Sequence, residues 1–188
     1  MHESITDAKN AAVRGNRAQR SIFLVGFMGA GKTSVGRALS RRLQWPFEDL
    51  DDRIMTAAGR SIEEIFRVSG EAGFRQMETT ALRELGPELE HTAKVVALGG
   101  GAFALPEYAA VVKAWKAHTV FLDAPVEELL RRCQWEPQVR PLYQNAEQFR
   151  RLYEARRPAY MTAGCRVETH HKEVETVAVE VACSLGIE

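Results

Sequence analysis

The segment Gly26-Phe27-Met28-Gly29-Ala30-Gly31-Lys32-Thr33 has the spacing G-x-x-x-x-G-K-[ST]. That spacing suits one kind of chemistry, the holding of a polyphosphate. Glycines let successive backbone N–H groups turn toward an anion. A helix starting behind the loop adds its N-terminal dipole at the same place. Gly29, Ala30 and Gly31 form the cradle, Lys32 reaches the β- and γ-phosphates, and the Thr33 hydroxyl is placed to ligate Mg²⁺. The loop specifies a nucleoside triphosphate. Alone, it does not separate a kinase from an NTPase switch.

Further along, acidic, basic and glycine-rich groups recur at intervals. Asp49 and Asp51 lie at the end of an expected strand, where alternation puts both side chains on one side. Phosphoryl transfer to an alcohol asks for a carboxylate that orients or deprotonates it; a solvated acidic loop would look the same in sequence. Asp52 reads as a surface charge. Arg75 and Glu78 stand three residues apart, which alone is also a helix-surface ion pair. Gly99-Gly100-Gly101 by itself reads as a strand-end turn. Arg132 by itself reads as a helix-end charge.

The elements that must position these groups follow from hydrophobic periodicity. Residues 21–26 (SIFLVG) form a short apolar run closed by glycine, a buried strand. Val35, Leu39 and Leu43 are spaced as on a helix over residues 33–43. A second strand leads from Trp45-Pro46-Phe47 to the acidic cluster. Ser61 with Glu64 three residues on is a capping-box signature for a helix through residue 85. Strands are expected at residues 94–98, 118–122 and 165–169, and helices at 106–116, 126–132, 146–157 and 173–185. Residues 134–145 are polar, with Pro137 and Pro141 as breakers. Alternating strands and helices imply a parallel sheet covered on both faces. Ligands in such sheets bind beyond the carboxyl ends of the strands. The glycine loop, the Asp cluster and the triple glycine all follow strands, so they should meet in one crevice.

In that order the segments GFMGAGKTSVGR, DLDDRI, GRSIEEIF, GEAGFRQME, LGGGA, VRPLY and RRPAY resemble the shikimate kinase family. The resemblance runs from about Phe23 to Tyr160. It implies a three-layer α/β/α P-loop NTPase fold with a five-stranded parallel sheet and a mobile lid at about residues 132–145. It also implies ATP-dependent phosphorylation of the 3-hydroxyl of shikimate to give shikimate 3-phosphate, on the route to chorismate and the aromatic amino acids. The catalytic residues it implies are Lys32, Asp51 and Arg140. Arg140, in Val139-Arg140-Pro141-Leu142, matches the lid arginine that closes over the phosphates. ATP would be held by Gly29 to Thr33 with Arg132 and Arg140, and Mg²⁺ by Thr33 and, through water, Asp49. Shikimate would be bound by Asp51, Arg75, Arg156 and the backbone of Gly99, Gly100 and Gly101, with Glu78 steadying Arg75. The R-x-P-x-Y spacing selects Arg156 over its neighbour Arg157. The chain departs from the family pattern at Trp135-Glu136-Pro137 in the lid and at Ala159, and its five histidines match no catalytic position.

Composition limits the alternatives. With 188 residues, 25 basic against 25 acidic side chains and 45% hydrophobic content, the chain fits one domain, residues 21–188, behind a flexible tail at residues 1–20. Net neutrality gives no global reason to expect nucleic acid or an anionic membrane, and with no apolar interface stripe it favours a monomer. Three scattered cysteines suit a reducing cytosol, hence a cytoplasmic protein. Two rival functions stay open: a kinase of another small hydroxy acid such as gluconate, and a binding domain of this type without turnover.

Overall fold

The computed structural model describes residues 21–135 and 145–187. Arg140, most of the expected lid and the residue 1–20 tail lie outside the described residues. Five strands, β1 (Ile22–Val25), β2 (Phe47–Asp49), β3 (Val95–Ala97), β4 (His118–Asp123) and β5 (Cys165–Glu168), form one parallel sheet in the order β2-β3-β1-β4-β5. β1 sits in the middle, with Ile22 opposite Val95 of β3 and His118 of β4. Its four residues are all buried, as a strand covered on both faces requires. The expected five-stranded, three-layer arrangement is therefore observed. The edge strand β5 carries Arg166 and Glu168 as an ion pair, a charged edge of the kind that discourages further strand pairing.

The helices are α1 (Lys32–Leu43), α2 (Leu50–Ala58), α3 (Ile62–His91), α4 (Pro106–Ala114), α5 (Val126–Trp135), α6 (Ala146–Tyr160) and α7 (Val174–Ser184), with a 3₁₀ turn at Ala102–Ala104. α1 packs on α7, α2 on α3, and α6 on both α5 and the 3₁₀ turn. The Ser61–Glu64 capping box forms as its sequence dictates.

Two expectations about local structure need correction. The acidic cluster is not a strand end throughout: β2 stops at Asp49, which caps α2 by accepting a hydrogen bond from the backbone N–H of Asp51 at 3.1 Å. Asp51 therefore lies in the first turn of a helix, and strand alternation does not govern its direction. Helix α2 itself was hidden because it is only nine residues long, too few for a clear period. The helix expected to end at residue 85 runs to His91, but is broken at Gly70, whose backbone (φ 66°, ψ −175°) is not helical.

Candidate active site

The phosphate loop joins β1 to α1. Gly29 (φ 75°) and Gly31 (φ 87°) both hold left-handed backbone, which costs other L-residues about 1 kcal/mol or more. Gly31 is the N-cap of α1 and makes no side-chain cap, so the first-turn N–H groups face the loop without a capping acceptor. This is the geometry that receives phosphate oxygens. Lys32 Nζ donates to the carbonyls of Gly26 and Phe27 at 3.0 Å each, which folds the ammonium back over the loop. Phe27 anchors the loop from below, its ring meeting Phe149 and Tyr153 of α6 edge-on at 4.9 and 5.5 Å.

Beside the loop, Thr33 Oγ1 donates to Asp49 Oδ2 at 2.7 Å. Two oxygens this close, on a helix start and a strand end, are hard ligands of the type Mg²⁺ selects. That ion normally takes one or two protein oxygens, with phosphate and water completing its shell. The residues present fit the ion.

On the other flank of the loop, a groove of about 840 Å³ is lined by Gly29, Ala30, Gly31, Arg132, Thr169 and His171, among others. Arg132 reaches across it, donating to Gly29 O at 3.3 Å, Thr169 Oγ1 at 3.1 Å and Thr169 O at 3.0 Å. Glu128 accepts from both Arg131 and Arg132 at 2.8 Å, and the Arg131 hydrogen bond, with that from Arg132, draws its carboxyl down to about 2. Arg132 is thus a braced groove wall and not a loose helix-end charge.

The triple glycine gathers the remaining candidates. None of its glycines has positive φ, so what they supply is missing side-chain volume. A Cβ on Gly99 would stand 2.8 Å from Asp51 Oδ1 and 2.9 Å from a Glu78 carboxylate oxygen. A Cβ on Gly101 would stand 2.6 Å from Arg75 Nη2. Gly100 lies against the phosphate loop, its Cβ position 3.5 Å from Met28 N. Asp51, Arg75 and the loop therefore converge on three consecutive residues.

Arg75 donates to Glu78 at 2.6 Å and to Glu71 at 3.2 Å. Glu78 is fully buried, and its Oε1 has no hydrogen-bond partner among the described residues. Burial pushes its carboxyl above the usual range, and Arg75 only partly opposes this. A surface ion pair would not look like this.

Arg156 is 9% exposed and donates to Gly100 O at 3.2 Å, with its guanidinium over the Phe27 ring. Among the described residues it pairs with no carboxylate, and burial lowers its pKa, with nearby Arg75 adding to the effect. Arg157, one residue on, points elsewhere: it donates to Asp123 Oδ2 at 3.0 Å and to Tyr153. Successive residues on a helix lie about 100° apart, so α6 sends one arginine inward and the other to its flank.

Several contributors escaped sequence reasoning. Asp123, 4% exposed at the end of β4, receives Arg157 and Arg166 and fixes α6 to the sheet; a lone Asp closing the apolar run HTVFLD was the available signal. Tyr160, which donates to Gly100 O, closes the R-x-P-x-Y motif, but that spacing assigns it no role; Thr169, which holds Arg132, had no comparable signal.

A glycine loop running from the central strand of a parallel sheet into an uncapped helix, with an acid at a strand end and helix-borne arginines reaching the glycine turn after β3, defines a P-loop phosphotransferase class. Within that class the match is specific. Residues 28–185 match the model of the shikimate kinase family. The chain is 41% identical over 166 residues to a shikimate kinase of Geobacter sulfurreducens, covering 87% of this chain and 89% of that one. The solved shikimate kinase of Aquifex aeolicus superimposes with a TM-score of 0.77 at 37% identity, covering 88% of this chain and 96% of that one. That of Acinetobacter baumannii, in complex with shikimate, gives 0.79 at 34% identity, covering 94% and 97%. The chain belongs to the shikimate kinase family.

Proposed function

We propose that the protein transfers the γ-phosphoryl group of ATP to the 3-hydroxyl of shikimate. The observation that carries this reading is Arg156, a buried guanidinium with no carboxylate partner among the described residues, one glycine away from Arg75. Burying an unpaired cation costs several kcal/mol, and a second cation nearby adds to it. An acceptor bearing a carboxylate relieves both, and a planar guanidinium binds it through two parallel hydrogen bonds.

In this reading Arg75, steadied by Glu78, and Arg156 take the acid group of shikimate on one side of its ring. Asp51, beside Gly99, accepts a hydrogen bond from the attacking hydroxyl and takes its proton as the new oxygen–phosphorus bond forms and the bond to the leaving ADP oxygen breaks. Gly99 to Gly101 bring backbone N–H groups close because no side chain intervenes. Lys32 neutralises the transferring group, and Arg140, outside the described residues, does so from the lid. Thr33 and Asp49 would hold Mg²⁺, which when bound neutralises phosphate charge. The protein's own share is positioning and fixed charge, as phosphoryl transfer requires. Action as a monomer in the cytoplasm completes the proposal. Among the described residues no helix is long and apolar enough to cross a membrane.

The test is ADP release coupled to NADH oxidation, with Mg²⁺-ATP and shikimate. Shikimate-dependent release supports the reading. Release with gluconate alone would identify a kinase of another hydroxy acid, and shikimate binding without release would identify a binding domain.

A further inference from the structure

Two donors converge on one carbonyl at the centre of the acceptor site. Tyr160 Oη and Arg156 Nη1, one helical turn apart on α6, both donate to Gly100 O. We propose that Tyr160 is a positioning residue for the acceptor: its hydroxyl shares the Gly100 carbonyl with Arg156 and so fixes where that guanidinium meets the acceptor's carboxylate. This rests on the reading that Arg156 binds the acceptor acid.

Tyr160 is fully buried, and its ring lies 5.4 Å from that of Phe121 on β4. The ring is therefore held by the sheet, and the hydroxyl has a fixed place to work from. Burial pushes the phenol well above its ordinary pKa, so it keeps its proton and donates throughout the range in which a kinase operates. The acceptor of that proton is no ordinary loop carbonyl. Gly100 packs on Met28 of the phosphate loop, and Gly101 beside it abuts the Arg75 guanidinium. Gly100 O is thus where the phosphate loop, both acceptor arginines and α6 come together. Without the hydroxyl, Arg156 carries that carbonyl alone. Its guanidinium is then drawn toward the glycine turn and away from a bidentate approach to a carboxylate. Because acid binding is made alike in the ground and transition states, the loss should fall on KM and spare kcat.

The experiment is steady-state kinetics of full-length Tyr160→Phe with shikimate and Mg²⁺-ATP, beside the parent, Arg156→Lys and the double variant. Phenylalanine keeps the ring packing and removes one hydrogen bond. The expected result is a KM for shikimate raised about threefold to tenfold, with kcat and the KM for ATP within about twofold and Tm within a few degrees. The double variant should be little worse than Arg156→Lys, since both changes act through one carbonyl. The proposal is overturned if the KM for shikimate does not move or the two KM values rise together. It is equally overturned by additive effects in the double variant, or by a Tm loss beyond about 10 °C, which would make the hydroxyl structural. A parent without shikimate-dependent turnover refutes the functional reading itself; an active parent matched by Tyr160→Phe refutes only the role of Tyr160.

Discussion

Replacing Arg156 with methionine should make the protein more stable and weaken its hold on shikimate at once. The side chain is 9% exposed, so the substitution removes a charge from a dry site and leaves an apolar chain of similar reach. Three contributions decide the sign. The hydrogen bond to Gly100 O is worth about 1 kcal/mol, but that carbonyl keeps Tyr160 as donor. The contact with Phe27, at 6.0 Å from the ring centroid, is at the limit of a cation–π interaction and adds about 0.5 kcal/mol. Against these stands the desolvation of a guanidinium that makes no direct ion pair among the described residues, several kcal/mol by the behaviour of buried ions, partly offset by its attraction to Glu71 and Glu78. The net is a gain of about 1–2 kcal/mol, or roughly 2–8 °C in Tm for a chain of this size. Two charge-assisted hydrogen bonds to the acceptor acid disappear, about 3 kcal/mol, which lowers kcat/KM for shikimate roughly 100-fold. Differential scanning fluorimetry with and without shikimate, paired with the coupled assay, reads both quantities. A variant that melts several degrees lower, or one that keeps its shikimate-induced Tm rise, would refute the reasoning.

Other changes test the remaining parts. Lys32→Met should fold, with Tm within about 3 °C of the parent, and should lose at least about 10³-fold in kcat; near-normal turnover would contradict the role of the loop lysine. Gly101 has ordinary right-handed backbone (φ −110°), so Gly101→Ala carries no conformational penalty. Its methyl would nonetheless meet Arg75 Nη2 at 2.6 Å. Because that guanidinium is pinned by Glu78, KM for shikimate should rise by about tenfold with KM for ATP unmoved, as initial rates at varied substrate will show. Glu128 has a carboxyl held down at about 2, first by Arg131 and then by Arg132. A depressed acid contributes stability that is present above its unfolded value near 4.5 and is lost as pH falls toward about 2. Glu128→Gln should therefore show a shallower fall of Tm than the parent between pH 4.5 and 3, in melts followed by circular dichroism.

The fold was legible because its signals are local and repeated: buried apolar runs stopped by glycine or acid, alternating with helical spacing, admit few arrangements besides a parallel sheet. The Ser61–Glu64 cap was legible for the same reason. Helix α2 was not, since nine residues beginning Leu-Asp-Asp-Arg look like an acidic loop until Asp49 is seen to cap them. At the site, the residue types named the chemistry and the structure supplied the convergence. Asp51 reaches the triple glycine through a helix start and not through a strand, which no periodicity could reveal. The roles of Tyr160 and Asp123 depend on contacts across 60 and 34 positions respectively, and a single sequence carries no trace of such pairings.

The strand order has a consequence for how such a protein can change. Asp49 ends β2 at one edge of the sheet, and Thr169 follows β5 at the other. Four strand spacings separate those edges, about 19 Å, with the phosphate loop between them. Changes that far apart combine additively when they share no partner. On the proposed reading, Arg132 with Thr169 borders the nucleotide end of the site and Arg75 with Arg156 the acceptor end, with no hydrogen-bond partner in common, so nucleotide preference and acceptor preference would be separable traits. Either could drift under selection while the other, and the loop they share, stayed as it is.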